Sequence, residues 1–157
     1  MLFNEKVFHG KHAEYVIFLC KDRGQINESG LNLFQSKIEL YILAPVIGII
    51  YNRKAQTDPG PKKTTIQLQQ INNYQDDLEY VYRIVLLLDN RENLSYEERL
   101  DRAFKYDNDE KKTAENMKIF NEYVLGGIEY IYETFNDSLG NEEELLYNLI
   151  EFLDFEN

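Results

Sequence analysis

Two histidines near the start of the chain are the first candidates for chemistry. His9 and His12 lie three residues apart, a spacing at which two imidazoles on one helix can bind the same metal ion. Gly10 lies between them, and the sequence offers no nearby cysteine and no matched third ligand. Because the chain has only these 2 histidines, a histidine-based triad also has few ways to form. We therefore predict no metal site here.

Two polar loops match ligand-binding motifs only in part. Residues 59–65 place a Lys-Thr pair before a predicted helix, as a phosphate-binding loop does, but the first glycine of that motif is missing and two prolines remove backbone donors. Residues 107–110 are acidic, but they lack the turn glycine and the distal glutamate of a calcium loop. We predict no catalytic residue, no cofactor-binding residue and no bound metal, and we expect that the protein is not an enzyme.

The charge of the chain is strongly asymmetric. Its last basic residue is Lys118, and the ten carboxylates that follow carry nearly all of the formal net charge of −11. Such an asymmetry concerns the partners of a protein more than its fold.

A lone cysteine excludes an intramolecular disulfide, and we find neither a signal peptide nor an apolar stretch of membrane-spanning length. We expect a cytoplasmic protein that does not enter a membrane.

Apolar residues at helical spacing run along most of the 157 residues and predict six helices. We expect these helices over residues 12–21, 37–54, about 64–88, 95 to about 106, from beyond 110 to about 135, and about 141–154. A loop with Gly24 and Gly30 follows the first helix. Capping boxes are predicted at Ser36 with Glu39 and at Ser95 with Glu98, and Asn141 with Glu144 should cap the last helix.

The second helix is hydrophobic on nearly all sides after Glu39, which is typical of a helix at the centre of a bundle. Pro45 should kink it or break it near Leu43, because proline removes one backbone hydrogen bond. A short strand over residues 46–51 is the alternative, since this stretch is rich in β-branched residues. The predicted fold is all-α: one domain over residues 1–157, a single bundle of about six helices around a buried hydrophobic central helix, with an acidic C-terminal helix at about 141–154.

Two adjacent glycines interrupt the fifth helix. Gly126 and Gly127 each cost about 1 kcal/mol relative to alanine in a helix interior, so some feature should require them. One interpretation is that another helix packs closely against their bare backbone. The other is that they form a hinge or a groove where a partner docks.

Two segments resemble a known protein family. Residues 32–48, with Arg53 and Lys54 after them, are similar to the first helical box of small accessory proteins encoded with phosphorothioation (Dnd-type) DNA modification and restriction systems. Residues 120–129 resemble the later box of those proteins, a Phe-x-Glu-Tyr followed by paired small residues, here Phe120, Glu122, Tyr123, Gly126 and Gly127. The two boxes cover about a fifth of the chain. The resemblance implies a bacterial antiphage setting and an accessory, non-enzymatic role.

Our main hypothesis is a non-enzymatic interaction module that docks through an acidic C-terminal face. Its partner would be a larger protein with a basic surface, such as a DNA-handling component of a defence system, and complementary charge would guide the encounter. A homo-oligomer is also compatible with the sequence. The candidate contact residues are Glu122, Tyr123, Gly126, Gly127, Glu142, Glu143, Glu144 and Glu151.

Two other hypotheses involve nucleic acid. In the first, the carboxylates mimic DNA and occupy the cleft of a DNA-binding protein, although they are spaced more widely than phosphates along a duplex. In the second, the protein contacts DNA itself through a basic region, and the candidate residues are Arg53, Lys54, Lys62 and Lys63.

Overall fold

The structure, a computed structural model, describes residues 2–21, 32–138 and 141–154. The predicted loop with Gly24 and Gly30 lies outside the described residues, as does Glu156, one of the ten acids after Lys118. Within the described ranges the chain forms seven helices and one two-stranded sheet, which confirms a mostly α-helical fold. The elements are β1 (Lys6–His9), α1 (Gly10–Leu19), α2 (Lys37–Ile50), β2 (Lys63–Ile66), α3 (Leu68–Asn73), α4 (Gln75–Leu88), α5 (Tyr96–Phe104), α6 (Glu110–Phe135) and α7 (Glu142–Leu153).

Helix α2 lies at the centre of the fold, as its sequence predicts. It packs against α1, α4 and α6 and buries Leu40, Ala44 and Ile47 almost completely. It continues through Pro45 as one helix, so a break near Leu43 and the alternative strand are both wrong, and the kink at Pro45 stays a prediction. Burial of the residues on both sides outweighs the roughly 3 kcal/mol that a proline costs in a helix interior. The helix ends at Ile50, four residues earlier than predicted.

Only one of the two predicted capping boxes forms. Ser95 accepts a hydrogen bond from the Glu98 backbone, and the Glu98 carboxylate accepts one from the Ser95 backbone, so α5 begins as predicted. Ser36 precedes α2 with an extended backbone, but its side chain makes no capping hydrogen bond. The Glu39 carboxylate instead accepts from the backbone N–H of Gln35 at 3.2 Å.

The predicted third helix is replaced by three elements. Residues Lys63–Ile66 form β2, which pairs antiparallel with β1 so that Lys6 faces Ile66. Thr64 and Ile66 are buried and Lys63 is exposed, the alternation of a half-buried strand, and β-branched threonines favour this conformation. Tyr74 then separates α3 from α4 and is 38% exposed. This division explains why seven helices are present instead of six.

Three glycines bring the backbone of α6 against the backbone of α2 and of the segment that follows α2. A Cβ atom on Gly127 would lie 1.8 Å from the carbonyl oxygen of Ala44. A Cβ on Gly48 would lie 2.3 Å from the carbonyl oxygen of Tyr123, and one on Gly126 would lie 2.1 Å from that of Arg53. Any side chain at these positions would push the two segments apart. Close packing is therefore the reason for the paired glycines of α6.

The start of α1 is fixed by a turn that only glycine fits easily. Gly10 has φ +58°, in the left-handed region, and its N–H donates to the Lys62 carbonyl at 2.8 Å. The Asp58 carboxylate accepts from the Lys11 backbone N–H at 2.6 Å. These contacts hold residues 58–62 against the junction of β1 and α1.

Across the described ranges we find no helix with the length and apolar character needed to cross a bilayer.

The glycine contact predicts that Gly127→Ala destabilises the fold. Alanine in an exposed helix would stabilise it by about 1 kcal/mol, whereas overpacking at a backbone contact costs about 1–3 kcal/mol or more. We expect a lower free energy of unfolding, measured by urea denaturation monitored by circular dichroism. Glu115→Ala, at an exposed position of the same helix, is the control and should change stability by less than about 0.5 kcal/mol. A Gly127→Ala protein more stable than the original would contradict the packing interpretation.

Candidate interaction surface

Helix α7 begins at a capped end that carries three consecutive carboxylates. The Asn141 side chain accepts hydrogen bonds from the backbone N–H groups of Glu143 at 3.0 Å and Glu144 at 3.2 Å, so the predicted cap is confirmed. Glu142, Glu143 and Glu144 form the first turn, where negative charge is favoured by the helix dipole. Local energetics therefore explain part of this acidic cluster.

One side of α7 holds the helix against the rest of the protein. Leu145, Leu149 and Phe152 pack against the core, although no residue of α7 is fully buried. The Phe152 ring lies 5.2 Å from that of Phe135 and 6.0 Å from that of Tyr130. Aromatic contacts at these distances contribute about 0.5–1.5 kcal/mol each beyond burial. The attachment of α7 therefore depends on a few side chains.

A second apolar row on α7 faces away from the core. Leu146, Ile150 and Leu153, which we call the outer row, are 60%, 63% and 64% exposed. Their spacing of 4 and 3 residues places them on one line along the helix. The neighbouring Tyr147 is 62% exposed. The sequence shows that α7 has more apolar positions than one buried stripe requires, and this excess was the available signal for the outer row.

The carboxylates of α7 differ from those of α6 in how they are paired. Glu133 accepts two hydrogen bonds from the Arg53 guanidinium, both at 2.9 Å, and Glu129 forms a 2.8 Å ion pair with Lys11. In contrast, Glu142, Glu143 and Glu144 are exposed and form no ion pair within the described ranges. With Glu151, also exposed, they make up what we call the acidic face. Charge on this face is not neutralised by folding.

The four basic candidates for DNA contact are only partly available. The Arg53 guanidinium is engaged by Glu133, and this pair raises the pKa of Arg53 further. The Lys54 ammonium lies 5.9 Å from the centre of the Tyr123 ring. Lys62 and Lys63 are exposed, in the turn before β2 and in β2 itself. Arg53 is therefore bound by a carboxylate, whereas Lys54, Lys62 and Lys63 are exposed.

The other candidates for partner contact lie inside the fold. Tyr123, Gly126 and Gly127 are buried beneath α2 and the segment after it, and Glu122 is only 9% exposed. The Ala55 backbone N–H donates to the Glu122 carbonyl at 3.0 Å, which further covers this part of α6. These four residues of the later box are explained by packing, so we leave them out of the interaction surface.

Tyr123 and Glu122 belong to a polar network centred on Asp89, a residue that lies between the predicted third and fourth helices. The Asp89 side chain is completely buried and accepts a hydrogen bond from the Tyr123 hydroxyl at 2.5 Å. Arg91 donates to it at 3.0 Å, and Arg102 donates at 3.2 Å. Arg91 also forms an ion pair with Glu122. The network joins the α4–α5 turn to α5 and α6.

The pKa of the Asp89 carboxyl lies below its usual value despite its burial. Burial alone would raise that pKa, but the hydrogen bonds from Tyr123 and Arg91 and the charges of Arg91 and Arg102 outweigh it. The same environment raises the pKa of Tyr123 to about 12, through burial first and then the bond to Asp89. Asp89 is therefore an ionised structural anchor, and its oxygens are already occupied by donors.

Shallow clefts also lie along the first half of α6. Two of them, of about 430 and 320 Å³, share Met117 and Asn121 in their walls. The Lys6 ammonium donates to Asn121 at 2.9 Å beside the smaller cleft, and burial lowers the pKa of Lys6 to about 8.

In the described residues no three His, Cys, Asp or Glu side chains are grouped as metal ligands. His9 and His12 lie on different elements, β1 and α1.

Comparisons with known proteins give no relative. No family model, no curated protein and no solved structure matches this chain. The resemblance to accessory proteins of phosphorothioation systems therefore remains a prediction from the two short boxes.

The Asp89 network predicts a specific dependence of stability on pH. Because the folded-state pKa is lowered, the ionised carboxylate stabilises the fold above a pH of about 4, and this contribution is lost as the pH falls through the folded-state pKa. Asp89→Asn should reduce the free energy of unfolding by about 3 kcal/mol near neutral pH, because the buried Arg102 loses its carboxylate partner and Arg91 keeps only Glu122. The difference from the original protein should shrink below about pH 4.

Urea denaturation of both proteins at neutral and acidic pH provides the measurement. Asp101→Asn, at an exposed site, is the control and should behave like the original protein at both pH values. A difference between Asp89→Asn and the original protein that is equally large in acid would contradict the assignment of an ionised Asp89.

Proposed function

We propose that this protein is a non-enzymatic interaction module that binds a basic surface of a larger protein through the acidic face of α7. One observation carries the proposal: Glu142, Glu143 and Glu144 lie exposed and unpaired in one helical turn, next to exposed apolar side chains. Glu129 and Glu133 of α6 have basic partners, whereas the carboxylates of this surface form no ion pair within the described ranges. An acidic and apolar surface of this kind suits a protein interface.

Complementary charge would act mainly on the rate and orientation of binding. Charged groups of opposite sign steer two proteins together and disfavour wrong partners, while their net contribution to affinity varies between complexes. The acidic face is exposed to solvent, so its effect should weaken with added salt. The apolar residues beside it would supply the area that excludes water.

The resemblance of residues 32–48 and 120–129 supplies the proposed setting. It supports an accessory role in a bacterial DNA modification or antiphage system, in the cytoplasm, with a DNA-handling protein as partner. A protein that binds DNA has a basic surface, and such a surface matches the charge of α7. We propose no cofactor for this role.

Direct DNA mimicry has less support than protein docking. The four carboxylates of the acidic face lie on a helix of 12 residues, which spans about 18 Å at 1.5 Å per residue. Duplex DNA carries one charge per about 1.7 Å, more than twice that density. DNA contact by the protein itself also has less support, because Glu133 already binds Arg53.

The proposal predicts that charge reversal on α7 abolishes partner capture. A protein with Glu142→Lys, Glu143→Lys and Glu144→Lys should no longer retain the basic partner when used as bait in extract of the native host, with identification by mass spectrometry. Loss of charge complementarity is the expected cause, so capture by the original protein should also decrease as salt rises.

A control with the same charge change separates site from net charge. Asp76→Lys, Asp77→Lys and Glu97→Lys also replace exposed acids in the first turns of helices, here α4 and α5. This control should still capture the partner, and circular dichroism should show that both variants remain helical. Equal capture by the α7 variant and the original protein would refute the proposal.

A further inference from the structure

The outer row of α7 is an apolar surface that the fold leaves uncovered. Four of the twelve large hydrophobic residues that are exposed in the described ranges lie on this one helix of 12 residues. Single exposed apolar side chains are ordinary, whereas a continuous row marks a surface that another molecule covers. The side of α7 formed by Leu145, Leu149 and Phe152 is already occupied by the core, so the outer row remains for a partner.

We propose that the outer row binds an amphipathic helix of the partner, with leucine-like side chains toward α7 and lysine or arginine along its flanks. This inference rests on the proposed function and names the element that the acidic face recognises. The row of Leu146, Ile150 and Leu153 forms a ridge along α7, and ridges of one helix pack into the grooves of another.

A helix fits this surface better than an extended segment does. An extended peptide gains affinity by adding a strand to an open sheet edge, through backbone hydrogen bonds. The backbone groups in the interior of α7 are paired within the helix, so a partner there meets side chains only. Spacing of 4 and 3 residues in the outer row matches the spacing of apolar residues on a second helix.

The charges around the outer row determine the chemistry of that helix. Glu142 and Glu143 lie one turn before Leu146, and Asp154 lies one turn after Ile150. A partner helix with basic flanks would place positive charge at both ends of the row. A second copy of α7 would bring the same carboxylates together, because the chain has no lysine or arginine after Lys118. Like charges across an interface disfavour such a pairing.

The test uses a designed peptide that has the apolar stripe and the basic flanks proposed for the partner helix. The probe is a fluorescein-labelled peptide of about 18 residues, with leucines spaced 3 and 4 apart and lysines on both flanks, and binding is followed by fluorescence anisotropy. We expect saturable binding to the original protein. Leu146→Gln with Ile150→Gln should weaken it by at least about ten-fold, since two apolar contacts are lost and glutamine keeps the helix.

Three controls isolate the outer row. Tyr80→Gln with Leu88→Gln removes two similarly exposed apolar residues from α4 and should leave peptide binding unchanged. A scrambled peptide of the same composition, without the leucine stripe, should bind at least about ten-fold more weakly. Circular dichroism and thermal unfolding of each variant check that the fold is intact.

Three outcomes would overturn the inference. Equal binding of the scrambled peptide would show that the acidic face attracts cations without seating a helix, while the proposed docking function would survive. Unchanged binding by the Leu146→Gln and Ile150→Gln protein would place the helix elsewhere. Sedimentation velocity that shows a dimer of the original protein, lost in that double variant, would put a second copy on the row instead. Failure of the proposed function itself would appear separately, as partner capture unaffected by charge reversal at Glu142, Glu143 and Glu144.

Discussion

Helices α2 and α6 touch backbone to backbone, and the positions of most other elements follow from that contact. Without side chains at Gly48, Gly126 and Gly127, the two helices approach closely enough for the segment after α2 to run along α6. The Tyr51 ring then stacks on that of Tyr130, with 4.3 Å between ring centres, and Phe152 of α7 packs against both rings. The location of α7 therefore depends on glycine at positions 48, 126 and 127 of the other two helices.

The fold also separates its carboxylates into two populations. Asp89 is buried and ionised because Tyr123, Arg91 and Arg102 surround it, and it ties the α4–α5 turn to α6. In the second half of α6, Glu129 forms an ion pair with Lys11 and Glu133 forms one with Arg53. The basic residues used in this way lie far from α7 in the sequence. The exposed carboxylates at the start of α7 form no ion pair within the described ranges.

Local patterns predicted the helices well and long-range pairing poorly. The Ser95 capping box and the apolar period of α6 depend on residues within a few positions of each other, so the sequence was sufficient for them. Strand β2 forms because Ile66 pairs with Lys6, a partner that no local window contains. The same limit applies to Asp89, whose role depends on Tyr123 and Arg102 meeting it in space. For the candidate surface, the acidic residues of α7 could be predicted from the sequence. The outward direction of Leu146 and Ile150 could not, because it depends on which side the core occupies.

The lack of buried residues in α7 has a consequence for how this protein can diverge. A substitution at Leu146, Ile150 or Leu153 removes little that holds the core together, whereas one at Gly127 or Asp89 disturbs several elements. Residues that specify the fold and the exposed residues of the proposed docking surface are therefore different sets. Descendants of one ancestral chain can therefore retain the same scaffold while a few replacements change the exposed side of α7, without passing through unstable intermediates.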